Sequence, residues 1–192
     1  RDRNNSSSNE NFTYSYSNDE INITTNNLSI TSQSNQLDKI NLYGDNNVLN
    51  TGNKQDIIKI YGSQNTLNGG NDGITASIES GSGNTLNGGN GSDRFTMNSD
   101  NNNILGGGGN DTININATNE GSFTIDGGYG DDIINIKSDG NTGTITGGAG
   151  NDSIFISGNN NTNIRGGDAN DTITVNGCLL YTSPSPRDIS GS

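Results

Sequence analysis

The stretch Gly88-Gly89-Asn90-Gly91-Ser92-Asp93-Arg94-Phe95-Thr96-Met97 decides how this chain is read. Glycines at its first, second and fourth places free the backbone to take positive φ, an aspartate closes the loop, and apolar residues two apart follow. A spacing of two is strand alternation, and helical spacing is absent. Glycine pairs recur at Gly69-Gly70, Gly106-Gly107, Gly127-Gly128, Gly147-Gly148 and Gly166-Gly167, and all but the first of these lead into the same aspartate.

Outward from the glycines, the aspartate and its two apolar followers define a longer register. Towards the N-terminus they are Asp19 with Ile21 and Ile23, Asp38 with Ile40 and Leu42, and Asp56 with Ile58 and Ile60. Towards the C-terminus the followers are Ile113 and Ile115, Ile134 and Ile136, Ile154 and Ile156, and Ile173 and Val175. Ile74 stands in one aspartate slot, while Ala76 and Ile78 keep the strand. A third apolar position lies seven residues before the slot, as at Phe12, Thr31 (with Ile30 beside it), Leu49, Leu67, Leu86, Ile104, Ile125, Ile145 and Ile164. This predicts an all-β parallel β-solenoid of about nine turns from Phe12 to Asn176, 18 to 21 residues per turn. Extra residues collect opposite the glycine loop, at Thr118 to Ser122 and Ser138 to Gly143, where a solenoid tolerates insertion.

Composition limits what can hold such a stack together. Only 26% of the 192 residues are hydrophobic and mean hydropathy is -0.75, which excludes a thick globular core. Lys plus Arg number 9 against 21 Asp plus Glu, a net charge of -12. Aspartates stacked at the ~4.8 Å strand spacing repel by about 1 kcal/mol per neighbour pair even in bulk water. A divalent cation between them reverses that sign. Carboxylate and carbonyl oxygens suit Ca²⁺, whereas zinc is disfavoured because the chain has no His and one Cys.

At these residues the chain resembles the repeats-in-toxin (RTX) calcium-binding family, over about Phe12 to Asn176. The motif is intact at Gly88 to Phe95, Gly106 to Ile113, Gly127 to Ile134 and Gly147 to Ile154. The resemblance implies a right-handed parallel β-roll with Ca²⁺ between the glycine-aspartate loops of successive turns. Its carboxylate ligands would be Asp93, Asp111, Asp132, Asp152 and Asp171. Its carbonyl ligands would come from loop residues around Gly89, Gly91, Gly107, Gly109, Gly128, Gly130, Gly148, Gly150 and Gly167. Five half-sites in sequence give about four Ca²⁺ sites. Many family members carry metal loops on both edges; here the opposite edge reads Asp45-Asn46-Asn47, Ser63-Gln64-Asn65 or Asn101-Asn102-Asn103, so one row of calcium is expected.

The chain therefore divides into a disordered or incomplete leading segment at 1–11, degenerate turns at 12–87, calcium-binding turns at 88–177, and a tail at 178–192. That tail, with both prolines and Cys178, resembles the conceptual translation of a sequencing adapter and is expected to be non-native. With Arg1 first and no signal peptide, the chain is read as part of a longer polypeptide whose further domains are missing. Ala169 departs from glycine at the fourth place of the last loop, and Asp72 lies near the vacant slot at Ile74. Phe12, Tyr14 and Tyr16 alternate, as either a starting strand over the solenoid's end or an aromatic binding strip.

Calcium ions are the expected partner; acidity throughout gives nucleic-acid binding no support, and no membrane insertion by this segment is expected. The leading functional expectation is an extracellular, type I secreted RTX segment, unfolded at low cytosolic calcium and folded outside, where dissociation constants of ~10⁻⁴–10⁻³ M suffice. A calcium-stiffened ice- or surface-binding adhesin is the alternative. It needs a regular outward Thr or Thr-Asn ladder in the metal loop, whose third place reads Asn90, Gly108, Tyr129, Ala149 and Asp168. An enzyme is not expected, because the carboxylates form a regular array and no His completes an acid-base set.

Overall fold

A computed structural model describes residues 5–7, 14–17, 20–32, 37–117, 121–159 and 161–177. They form a β-solenoid without helix, of about eight coils of about 19 residues. Each coil gives one strand to each of two sheets. The first sheet runs from Ser29–Ser32 through every second strand to Asn161–Asp168, and the second from Glu20–Ile23 to Thr172–Asn176. Neighbours within each sheet are parallel, one coil apart in sequence: Ile40 lies beside Ile58, and Ile113 beside Ile134.

The core is one column of apolar side chains between the sheets. Leu67, Ile58, Ile60, Leu86, Phe95, Met97, Ile113 and Ile115 are all at 0% exposure, so the spacing of two converts directly into inward direction. Ala76 and Ile78 hold their strand beside Ile74 as expected, all three buried. In the coil before Leu49 the register selects Ile30, which pairs with Leu49, while Thr31 faces solvent.

The turn expected to begin at Phe12 is not a parallel coil; Phe12 itself lies outside the described residues. Tyr14–Ser17 instead lies antiparallel against Glu20–Ile23, and Asn5–Ser7 antiparallel against Ser29–Ser32. Two residues between Ser17 and Glu20 allow a hairpin, whereas a parallel pair needs a crossover of about a dozen or more. The starting-strand reading of Tyr14 and Tyr16 thus has its strand, and part of the leading segment is paired. Asp19 and the tail 178–192 lie outside the described residues.

The first sheet lengthens along the chain. Its strands grow from three residues at Val48–Asn50 to eight at Ser122–Tyr129, Thr142–Ala149 and Asn161–Asp168. Part of the insertion expected as loop, Ser122 and Thr142-Gly143, is strand, and Phe123 beside it is buried. These strands continue through the glycine pairs, with Gly107 beside Gly128 and Gly128 beside Gly148. The loop aspartates are consequently fixed by sheet on both sides of the corner.

Candidate metal centre

The slot residues turn inward, in the same alternation as the isoleucines that follow them. Asp93, Asp111, Asp132 and Asp152 are 1–2% exposed. Each offers Oδ1 to the backbone N–H of the slot residue one coil earlier: Ile74 to Asp93 and Asp93 to Asp111 at 2.7 Å, Asp111 to Asp132 at 2.7 Å, and Asp132 to Asp152 at 2.9 Å. Asp171 closes the row, accepting from Asp152 at 3.0 Å. In each of these five carboxylates the buried Oδ2 has no hydrogen-bond partner among the described residues.

A methyl group on Gly88 would run into both Asp93 Oδ2 and the carbonyl oxygen of Gly106. The same pairing recurs as Asp111 with Gly127, Asp132 with Gly147, and Asp152 with Gly166. Carboxylate and carbonyl oxygens, both acceptors, therefore meet at the first glycine of every intact motif, where only the missing Cβ leaves room. Facing acceptors in a dry site are costly without a proton or a cation between them. Oxygen-only donors, an unpartnered buried anion and space kept open by glycine fit a hard cation such as calcium.

The glycines expected around the metal occupy defined places in the same stack. Gly89, Gly107, Gly128, Gly148 and Gly167 lie in a row at φ of 106 to 124°, each close against the carbonyl of the one before. Gly109, Gly130 and Gly150 take φ of 114 to 138°, and Gly91 is buried against the Asp72-Gly73 backbone. Ala169 adopts φ 86° in the last loop, so the loop keeps its course at a cost of about 1–2 kcal/mol for a residue with a Cβ. The carbonyls that face the carboxylates belong to first-place glycines, Gly106, Gly127, Gly147 and Gly166, which the motif reading had not singled out.

Towards the N-terminus the row loses these features one by one. Ile74 fills its slot with a buried side chain, and Asp72 is exposed and does not replace the carboxylate. Asp56, also buried, gives Oδ1 to Asp38 N–H at 2.8 Å, but buried Thr51 stands where a first-place glycine would. Asp38 has a local donor in the Ser32 hydroxyl at 2.8 Å.

The opposite edge carries a ladder that sequence reasoning missed. Asn47, Asn65, Asn84 and Asn102 are buried, and each Oδ1 accepts the backbone N–H one coil earlier at 2.8–2.9 Å. Their Nδ2 groups donate to the carbonyls of Thr25, Gly44, Gly62 and Gly81 at 2.9–3.1 Å. Asn141 repeats the first bond, to Gly121 N–H at 3.1 Å. A residue of positive φ precedes each one: Asn46, Gln64, Gly83, Asn101 and Gly140. That pair, a left-handed residue then asparagine at the coil period, was the available signal. Asparagine and aspartate thus play the same backbone role on opposite edges, and only asparagine brings its own donor for the second oxygen.

Burial is the largest influence on the aspartates. It pushes Asp93 and Asp111 up to about 6 and Asp132 to about 7, against a backbone hydrogen bond that lowers each; neighbouring carboxylates add to the rise at Asp111 and Asp132. Asp152 is raised for the same first reason. The folded chain therefore binds protons that the unfolded chain releases between pH ~4 and ~7. In chelator, stability is greatest below the unfolded value of 3.8 and is lost as pH rises through the folded values. Melting in chelator at pH 4.5 and 7.5 should give the higher midpoint in acid; equal midpoints would contradict a buried carboxylate row.

Compared with known proteins, the chain matches no family model, no curated protein and no solved structure.

Proposed function

We propose that this chain is a calcium-binding solenoid of the RTX type, whose C-terminal coils fold around a single row of Ca²⁺. The observation that carries the reading is the row of buried, unpartnered Oδ2 atoms facing glycine carbonyls at Asp93, Asp111, Asp132 and Asp152. Asp171 continues the row, and the glycine carbonyls of the same loops complete the oxygen set. The bound cation supplies positive charge where stacked acceptors otherwise repel, and it joins consecutive coils. In this reading the segment is structural: its calcium-binding coils are unfolded at low calcium for passage out of the cell by type I secretion, and fold outside as part of a larger toxin, exoenzyme or adhesin.

The surface-binding alternative has weaker support. Outward rows on the first sheet hold Thr66, Thr85, Thr124 and Thr144, but Asn103 interrupts that row, and Leu105, Asp126 and Arg165 interrupt the neighbouring one.

Circular dichroism in chelator, then through a millimolar calcium titration at pH 7.5, tests the proposal. β-Signal should rise cooperatively, and an unchanged spectrum would sink it. Replacing Asp111 and Asp132 together by alanine removes two adjacent carboxylates and two backbone acceptors. The melting temperature in calcium should fall by ~5 °C or more, at roughly 1–3 kcal/mol per lost partner. An unaltered melting temperature would mean that the ligands lie elsewhere.

A further inference from the structure

The inward turn of the slot residues leaves a trough on the outside of the same corner, between the residues before and after each slot. It passes Gly73, which puts no side chain into it, and has a volume of about 320 Å³. That is at the small end of ligand sites, which run from ~300 to 1,000 Å³.

The side chains that line the trough are less acidic than the chain as a whole, whose net charge is -12, although exposed Asp72 adjoins Gly73. Among the described lining residues one is acidic, Asp93, and that carboxylate is buried and turned towards Gly88. One is basic: Arg94, which makes no ion pair with any described residue. On one wall Thr75 and Thr112 flank Arg94 in register, so hydroxyls stand one coil either side of the guanidinium. Ile57 continues that wall, and Leu37, 45% exposed, adds a second aliphatic group.

Three backbone N–H groups of that wall are already engaged. Thr75 N–H goes to Asp56 O at 2.9 Å, Arg94 N–H to Ile74 O at 2.8 Å, and Thr112 N–H to Asp93 O at 2.8 Å. An extended peptide would find no strand edge to pair with here. Among the described residues no aromatic ring lines the trough to stack a nucleobase. What it presents is a guanidinium that has no ion-pair partner among the described residues and suits a carboxylate, hydroxyls on both sides, and aliphatic surface for C–H groups.

We propose that this trough binds an acidic sugar, a monosaccharide carboxylate or the carboxylate-bearing end of a glycan, with Arg94 holding the carboxylate and Thr75 and Thr112 contacting ring hydroxyls. The site rests on the trough and on Arg94, with the Asp93 carboxylate of the metal row buried beneath it and turned towards Gly88.

The test is a ¹⁵N–¹H titration of the full chain, in whichever of calcium or chelator gives a dispersed spectrum. Probes are galacturonate, galactose as ring without charge, acetate as charge without ring, and a glutamate-rich peptide. Galacturonate should shift amides at 73–75 and 92–112 and bind at least ~10-fold tighter than the other three, a ratio set by one charge-assisted hydrogen-bonding group. Arg94→Gln should weaken galacturonate by ~10-fold with the spectrum still dispersed, and Arg94→Lys, which keeps the charge without the fork, by less. Equal binding of galactose, acetate or peptide overturns the assignment, as does absence of shifts in the trough. A galacturonate response that survives Arg94→Gln unchanged marks simple calcium chelation and overturns it too.

Discussion

Replacing Asp93, Asp111, Asp132 and Asp152 together by asparagine yields a solenoid that keeps its β-structure in chelator at neutral pH and gains little from calcium. Asparagine preserves the Oδ1 that accepts the backbone N–H of the preceding coil, as Asn65 and Asn84 do on the opposite edge. It exchanges Oδ2 for an Nδ2 donor, directed where Gly106, Gly127, Gly147 and Gly166 present carbonyl oxygens. Four facing acceptor pairs become four candidate hydrogen bonds, as Asn65 makes with Gly44 O and Asn84 with Gly62 O. At about 1–3 kcal/mol for each buried group relieved, the midpoint in chelator should rise by ~10 °C or more. Thermal melts of both proteins, with and without calcium, check this. A variant that stays unfolded in chelator would show that hydrogen-bond complementarity does not limit the metal-free state.

Hydrogen exchange on the unmodified chain should divide it in two. In chelator at pH 7.5, amides of 40–87 stay protected while those of 93–176 exchange at least ~100-fold faster than in calcium. The asparagine ladder makes both of its bonds from Asn47 to Asn102 and continues at Asn141, whereas an unpartnered Oδ2 together with a glycine carbonyl recurs from Asp93 to Asp152; Asp56 Oδ2 is unpartnered too, but Thr51 holds its first-glycine place. Ile74 separates them on the aspartate edge, where Asp56 N–H bonds to Lys54 O at 2.8 Å instead of a slot carboxylate. Exchange unaffected by calcium anywhere would remove the metal reading itself. Equal protection by calcium at both ends would leave that reading standing and remove the division.

Much of this was legible because a solenoid repeats its physics. Residues two apart, as at Ile113 and Ile115, admit one inward face, and a recurrence of 18 to 21 residues stacks Phe95 on Ile113 and Ile113 on Ile134. The aspartates were legible as a row for the same reason. Their direction was implicit in the alternation too, since Asp111 sits two before Ile113 and must share its face. Less legible was the asparagine ladder, because Asn is so frequent in this chain that Asn65 and Asn84 do not stand out by type. In sequence they are marked only by the Asn, Gln or Gly before each, the residue that takes positive φ in the structure. The first-place glycines were visible, but their role depends on a neighbour one coil away that no local motif contains. The first turn was misread because apolar period alone cannot distinguish a coil from a hairpin folded over its end.

That hairpin bears on what the molecule does in company. An exposed parallel coil is a template: another chain could add its own coil in register, and repetition would give a filament. At this end the outermost strands, Asn5–Ser7 and Tyr14–Ser17, run against the direction of the stack. A coil added in the direction of the stack would have to pair antiparallel with them, so the parallel register seen from Ile40 to Ile134 would not continue across that end. The described strands at that end thus break the repeat by direction, Asn5–Ser7 and Tyr14–Ser17 being set against Ser29–Ser32 and Glu20–Ile23.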